Sequence, residues 1–308
     1  MASLKDLRKR ISSVRSTRKI TQAMKMVAAA KLRRAQDQAE SARPYAERMQ
    51  RMLATLSASV GNQPGVPKLL AGTGKDETYL VVLCTSDRGL CGAFNSNLVK
   101  EAKRRVDNLI AEGKSVSVLC VGRKGRDQLR RTHRKYIHED SDEIGKTLNY
   151  DSARAIADNI TERFDGGEFD VCQLIYAKFR SPIKQYVTTM QLVPFSADEE
   201  AAGGEELPEE LKIDTSVGET GNRGAYAFEP EESQILAELL PRNMATQIYR
   251  ALLENNAGEQ GSRMTAMDGA TRNADDMIDD LTMTYNRTRQ AVITSELNEI
   301  VSAKEALQ

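Results

Sequence analysis

Met264-Thr-Ala-Met-Asp-Gly-Ala-Thr-Arg-Asn-Ala-Asp-Asp-Met-Ile-Asp-Asp-Leu-Thr-Met-Thr-Tyr285 is the stretch that decides the fold. Its small and apolar residues Met264, Met267, Ala270, Ala274, Met277, Leu281 and Tyr285 advance 21 residues in six steps, an average of 3.5. That is the seam period of a left-handed coiled coil, not the 3.6 of a straight buried helix. A seam needs a partner, and the start of the chain offers one: Leu4, Leu7, Ile11 and Val14 step by 3, 4 and 3 residues. The reading is a last helix folded back antiparallel on the first, with a different kind of segment between them. Rod-like ends around a globular middle suit a protein that transmits force or spans distance better than one that encloses a substrate.

Outward from the ends, five segments are expected. Residues 1–60 form the N-terminal coiled-coil helix, rich in strong helix formers such as Ala23–Ala30, with Pro44 expected to kink it or mark a join. Residues 61–75 hold Gly61, Pro64, Gly65, Pro67, Gly72 and Gly74 and read as a linker. Residues 76–195 alternate. Tyr79–Thr85 and Ser115–Val121 read as buried strands, Ser96–Ala111 and Asp151–Phe164 as helices, and a short basic helix lies near Arg126–Arg131. Either Asp151 or Ser152 is a plausible cap. Val171–Lys178 and Gln185–Val193 are two more strands, joined by a turn at Arg180-Ser-Pro. That order predicts a small Rossmann-like α/β domain with an antiparallel pair at its end. Residues 196–230 read as a long acidic loop, and residues 231–308 as the C-terminal coiled-coil helix, broken near Pro241.

Composition agrees with long solvated helices: 29% of residues are charged, 5% are aromatic and there is no Trp. The formal net charge is zero, but its distribution is polar. Residues 1–34 carry eleven Lys and Arg against Asp6 alone, and residues 198–232 carry twelve acids against Lys212 and Arg223. Differently charged partners are therefore expected at different points along the chain. No run of about 18 apolar residues exists, so no membrane span is expected. The basic N-terminus lacks an apolar core segment, which argues against a secretory signal. Cys84, Cys91, Cys120 and Cys172 include no C-x-x-C pair and read as reduced, buried residues in a cytoplasmic setting.

Few motifs suggest chemistry. Gly72-Thr-Gly-Lys75 imitates a phosphate loop, but Leu69 stands where its first Gly belongs and Asp76 follows the Lys, so the linker reading prevails. Ser86-Asp87-Arg88-Gly89-Leu90-Cys91-Gly92 follows a buried strand and precedes a helix, where α/β proteins place ligand loops. It lacks the dinucleotide glycines, which leaves a structural turn or a protein-contact loop. His133 and His138 lie in a separate charged stretch, without the context of a Cys–His pair or a metal site. The basic first helix is positive all round, which favours a solvated coiled-coil face over nucleic-acid binding. In the last stretch, Val292, Ile293, Leu297, Ile300 and Val301 keep an apolar stripe almost to the terminus, where most chains fray. Something outside the chain is expected to surround that tip.

Four longer motifs carry a family resemblance: Ile20-Thr-Gln-Ala-Met-Lys-Met-Val-Ala-Ala-Ala-Lys-Leu32; Ser86-Asp-Arg-Gly-Leu-Cys-Gly92; Ser262-Arg-Met-Thr-Ala-Met-Asp-Gly-Ala-Thr-Arg-Asn-Ala274; and Tyr285-Asn-Arg-Thr-Arg-Gln-Ala-Val-Ile-Thr-Ser-Glu-Leu-Asn-Glu-Ile-Val301. In this order, over nearly the whole length, the chain resembles the γ subunits of F-type ATP synthases, the central rotor shaft. The resemblance implies an antiparallel coiled coil standing inside a ring of three α and three β subunits. It also implies an α/β domain that meets the ε subunit and the membrane c-ring, and coupling of proton-driven rotation to ATP synthesis or hydrolysis. No catalytic residue, cofactor, metal or nucleic-acid partner is implied. Met24 and Lys25 fall at the family's contact with β. Arg289 and Gln290 match a pair that engages a β loop, and Thr294 and Glu296 belong to the same contact motif. Tyr226, Phe228 and Glu229 match a stretch near the c-ring and ε, with Phe228 in place of a Tyr. Ala303-Lys304 replaces the family's Gly-Ala near the apex, and the acidic loop lacks the cysteine pair of chloroplast relatives. The implied location is peripheral, on the cytoplasmic face of the bacterial inner membrane, the alternative being the matrix face in mitochondria.

Overall fold

The computed structural model describes residues 3–60, 66–138, 148–196, 199–202, 206–208 and 232–305. The chain divides into two units, residues 1–29 with 263–308, and residues 30–262. The first helix, α1 (Leu4–Val60), and the last, α6 (Glu232–Glu305), contribute to both.

In the first unit the two helices pair antiparallel. Arg8 Nη2 donates to the Tyr285 hydroxyl at 2.9 Å, Arg18 meets Asp275 at 2.7 Å, the Thr271 hydroxyl donates to that of Thr21 at 2.8 Å, and Lys25 meets Asp268 at 2.6 Å. As the α1 number rises the α6 number falls, which is the signature of opposed chains. The α1 seam follows expectation: Leu7 and Ile11 are buried, and Leu4 and Val14 are half-buried. Over residues 4–54 of α1, every buried apolar residue falls on one alternation of 3 and 4 residues counted from Leu4, through Ala28, Leu32, Ala35, Ala39, Ala46 and Met49 to Leu53. The α6 seam differs at two rungs, with Thr271 in place of Ala270 facing Thr21 of α1 and Ile278 in place of Met277. Met277 is exposed and Ile278 is buried in its place, so the buried residues are Met267, Ala274 and Ile278, with Thr271 between them. Counting by 3 from Ala274 selects Met277. The strict heptad takes a step of 4 there, because only that step keeps the stripe facing the partner.

Neither proline ends its helix. Pro44 and Pro241 both sit inside unbroken helices. Each frees the carbonyl four residues earlier, and those residues, Glu40 and Ala237, are exposed, so water can take the lost hydrogen bond. The remaining cost of roughly 3 kcal/mol is offset around Pro241 by Leu236 and Leu240, which pack with Met49 and Leu53 of α1. Fully burying such side chains is worth about 1.5–3 kcal/mol each.

The second unit is a five-stranded sheet in the order β2-β1-β3-β4-β5. The strands are β1 (Thr78–Cys84), β2 (Ser115–Val121), β3 (Val171–Phe179), β4 (Gln185–Val193) and β5 (Glu199–Ala201). β1 runs parallel to β2 and β3, and β4 runs antiparallel to β3 and β5. This is the Rossmann-like sheet with an antiparallel end, plus β5, which lies where a loop was expected and pairs with Thr188–Met190. Among the described residues, four further α-helices are α2 (Lys68–Ala71), inside the expected linker, α3 (Phe94–Ala111), α4 (Arg123–Leu129) and α5 (Tyr150–Asp165). α5 is capped by Asn149, whose Oδ1 accepts from the Ser152 amide at 2.8 Å, and not by Asp151 or Ser152. Only a residue before the first turn, in extended backbone, can aim its side chain at those amides. One sheet face packs on α5 and on Met244, Ala245, Ile248, Ala251 and Leu252 of α6; the other packs on α3.

Candidate partner-contact surfaces

The sheet has a crevice position but leaves it no room. In a parallel order of the 2-1-3 kind, ligands bind past the carboxyl ends of the strands where the order reverses. Here β3 outruns β1, whose last partner pair is Leu83 with Ile175. On the β1 side, the backbone amides of Ala177 and Phe179 then have no strand beside them, although β4 pairs with both residues on the other side. They donate instead to Asn255 Oδ1 and Glu254 Oε2 of α6, both at 3.2 Å. α6 passes so close that a Cβ on Gly258 would lie 3.0 Å from the Phe94 ring. The protein's own helix fills the place a nucleotide would take.

The loop after β1 is tied down from within. The Ser86 hydroxyl donates to the Arg88 carbonyl at 2.6 Å, Asn95 Oδ1 accepts from the Ser86 amide at 3.0 Å, and Asp87 Oδ1 accepts from the Arg123 amide at 3.0 Å. Cys91 is buried beside Asn95, whose Nδ2 lies 3.2 Å from its sulfur. Gly92 has a φ of +57°, and Leu90, a residue with a Cβ, has one of +64°. Of the residues singled out here, Cys91 points into the core, whereas Asp87, Arg88 and Gly92 are exposed and Gly89 half-buried. Leu90, which sequence reasoning passed over, projects outward at 61% exposure.

The other chemical suggestions resolve into structure. Thr73 of the phosphate-loop imitation donates its hydroxyl to Asp170 at 2.6 Å. His133 is engaged by Asp107 through Nε2 at 3.0 Å and by the Thr132 hydroxyl at Nδ1. Among the described residues no group of His, Cys, Asp or Glu could hold a metal ion. All four cysteines are free and buried, and burial pushes the thiols of Cys84 and Cys120 up to about 12 and that of Cys172 higher than its ordinary value. No helix among the described residues is long and apolar enough to cross a membrane.

Besides its charged residues, the first unit exposes several large apolar ones. Met24 is half-buried, but Ile20, Met26 and Val27 around it are largely exposed, lying off the heptad positions. A search for apolar residues outside the seam would have found them. Lys25 is not free on that surface. Its ammonium holds Asp268 at 2.6 Å, and this bond, helped by Arg272, keeps the Asp268 carboxyl below the usual carboxylate range. Towards the end of α6, Val292, Ile293, Leu297, Ile300 and Val301 are exposed, as expected of the tip, with Ile300 at 65%. Arg289, Gln290, Thr294 and Glu296 are exposed among them. Helical spacing sets Arg289, Ile293, Glu296 and Ile300 in one row and Gln290, Thr294, Leu297 and Val301 in the next. Tyr226, Phe228 and Glu229, and most of the acidic loop, lie outside the described residues.

A paired-helix shaft with uncovered apolar residues, together with an α/β sheet whose crevice is filled from within, defines a subunit of a larger assembly. Residues 3–307 match the family model described as ATP synthase. The chain is 54% identical to the ATP synthase gamma chains of Paramagnetospirillum magneticum and Paracoccus denitrificans, over the full length of each. Among solved structures it resembles a chain of the Tetrahymena thermophila mitochondrial ATP synthase central stalk and c-ring, at 28% identity and a TM-score of 0.53, covering 82% of this chain and 99% of that one. The fold also matches a chain of the Euglena gracilis mitochondrial ATP synthase rotor, with a TM-score of 0.59 at 18% identity, covering 94% and 98%. The chain belongs to the ATP synthase gamma chain family.

Proposed function

We propose that this chain is the central-stalk rotor subunit that couples proton-driven rotation of a c-ring to ATP synthesis or hydrolysis in an α3β3 ring, with no catalysis of its own. The observation that carries the reading is the bare apolar tip of α6. Five large aliphatic side chains on one helix end remain exposed, and each is worth about 1.5–3 kcal/mol if buried completely. A sleeve formed by surrounding subunits supplies that burial while letting the shaft turn. In this reading Met24, Lys25, Arg289, Gln290, Thr294 and Glu296 meet β, while Tyr226, Phe228 and Glu229 meet the c-ring and the ε subunit. Lys25 contributes its stem and position more than a free charge, because Asp268 already holds its ammonium. The exposed residues Arg88 and Leu90 make the loop after β1 a contact loop that is also a rigid turn. The complex sits peripherally on the cytoplasmic face of the bacterial inner membrane.

Two measurements test this. Purified α and β subunits with and without the chain should differ in assembly and in ATP hydrolysis, and equal hydrolysis without it refutes the reading. Amide exchange over the last 15 or so residues of α6 should be fast in the free chain and slow in the complex. Equal, strong protection in both would mean that the tip packs on its own shaft.

A further inference from the structure

We infer that Glu254, with Arg43 and Arg250, is a positioning cluster that keys the long helices to the sheet within the unit of residues 30–262, so that load on the helices moves the sheet with them. This rests on the rotor reading above. The need follows from how smooth the other contacts are. Along this part of α1 the seam is largely alanine, with Ala35, Ala39 and Ala46 buried. α6 meets the β3–β4 hairpin through glycines, and a Cβ on Gly261 would lie 2.9 Å from Pro182 Cα. Apolar contact of this kind holds elements together but is non-directional, so it opposes separation far more than sliding or turning.

Glu254 supplies direction. It is wholly buried, and one carboxylate is bound from three elements. From β3, the Phe179 amide donates to Oε2 at 3.2 Å. From α6, Arg250, itself buried, donates Nε to Oε1 at 3.2 Å. From α1, Arg43 brings Nε to 3.6 Å of Oε1, while its Nη2 donates to the Phe179 carbonyl at 3.3 Å. Arg43 and Glu254 thus grip both backbone polar groups of a single residue at the overhanging end of β3. The neighbouring Asn255 repeats the contact on Ala177, and the Ser262 hydroxyl donates to Gln185 Oε1 at 2.9 Å. Stability alone does not call for such a cluster. Apolar side chains of similar volume often stabilise a site as well as a buried ion pair does, and here the ions set a geometry in which one carboxylate is met from α1, α6 and β3.

The test uses the assembled complex in inverted membrane vesicles, with ATP hydrolysis and ATP-driven proton pumping measured together. Arg43→Met cuts only the link to α1 and leaves Arg250 on Glu254; it should lower pumping per ATP hydrolysed. The double variant R250M/E254Q removes both buried charges while keeping an amide oxygen to accept from the Phe179 N–H; it should keep a near-wild-type melting temperature in the free chain yet also pump less per ATP. Unchanged pumping per ATP in Arg43→Met overturns the proposal. So does full pumping in a double variant that melts like the wild type, because the cluster would then be replaceable packing. A wild-type complex whose hydrolysis drives no pumping overturns the rotor reading itself, a result distinct from a coupled wild type with equally coupled variants.

Discussion

Replacing Asp170 by Asn should weaken the fold by an amount that depends on pH in a defined direction. Asp170 sits just before β3 and gathers the approach to β1. It accepts from the Thr73 hydroxyl at 2.6 Å, the Thr78 hydroxyl at 2.9 Å, and the amides of Thr78 and Glu77 at 3.0 and 3.1 Å. These bonds, led by that from Thr73, hold its carboxyl at about 2, below the ordinary 3.8. A difference of that size corresponds to about 2.5 kcal/mol. The exposed residues Gly74 to Asp76 let water reach the site's edge, which reduces it to about 1–2 kcal/mol. The sign follows from the lowered value. The stabilisation is fully present above the unfolded value near 4 and is lost as pH falls from about 4 to about 2. Asn cannot titrate and keeps one acceptor, so D170N should be about 1–2 kcal/mol less stable than wild type at pH 6, and the gap should narrow by pH 3. Urea unfolding of the free chain across that range measures it. A gap as large at pH 3 as at pH 6 would refute the argument, and so would no gap at pH 6.

Two further outcomes follow from the exposed surface and from the thiols. Arg289→Ala with Gln290→Ala removes a rigid guanidinium fork from the exposed end of α6, and should lower coupled ATP synthesis by about tenfold, the equivalent of one charge-assisted hydrogen bond at about 1.4 kcal/mol; wild-type rates at wild-type assembly would defeat it. Oxidants and reductants should leave coupled activity unchanged, because all four cysteines are buried and burial keeps the thiols of Cys84, Cys120 and Cys172 protonated. A reversible change traced to a Cys–Cys bond within this chain would contradict that.

Periodicity made much of the architecture legible in advance. A helix or strand buries residues at a fixed spacing, so local sequence reveals which face is apolar without knowledge of what covers it. Hence the antiparallel ends, the strands Ser115–Val121 and Gln185–Val193, and the bare aliphatic stripe from Val292 to Val301 could be read directly. The stripe shows how far such reading goes: it marks an apolar tip, and the family motifs around Arg289 and Gln290 suggest what surrounds it.

Elsewhere the answer depended on contacts between residues far apart in the chain. Met277 and Ile278 are both good seam residues, and only the opposing helix decided that Ile278 turns inward. Pro241 breaks a helix by local rules, yet α6 runs through it because packing on α1 covers that end and the freed carbonyl belongs to an exposed residue. Glu254 looks like any solvated acid of an amphipathic helix. Its burial follows from β3 overrunning β1, which leaves the Phe179 amide to be satisfied, and from Arg43, over two hundred positions away, arriving beside it. Lys25 reads as a surface cation until Asp268 takes its charge. The sequence by itself determined the elements and their apolar faces, because those are properties of neighbouring residues. Tertiary structure decided which polar groups are partnered and which surfaces stay bare, because a buried donor or charge takes its partner from whatever part of the chain folding brings within about 3 Å.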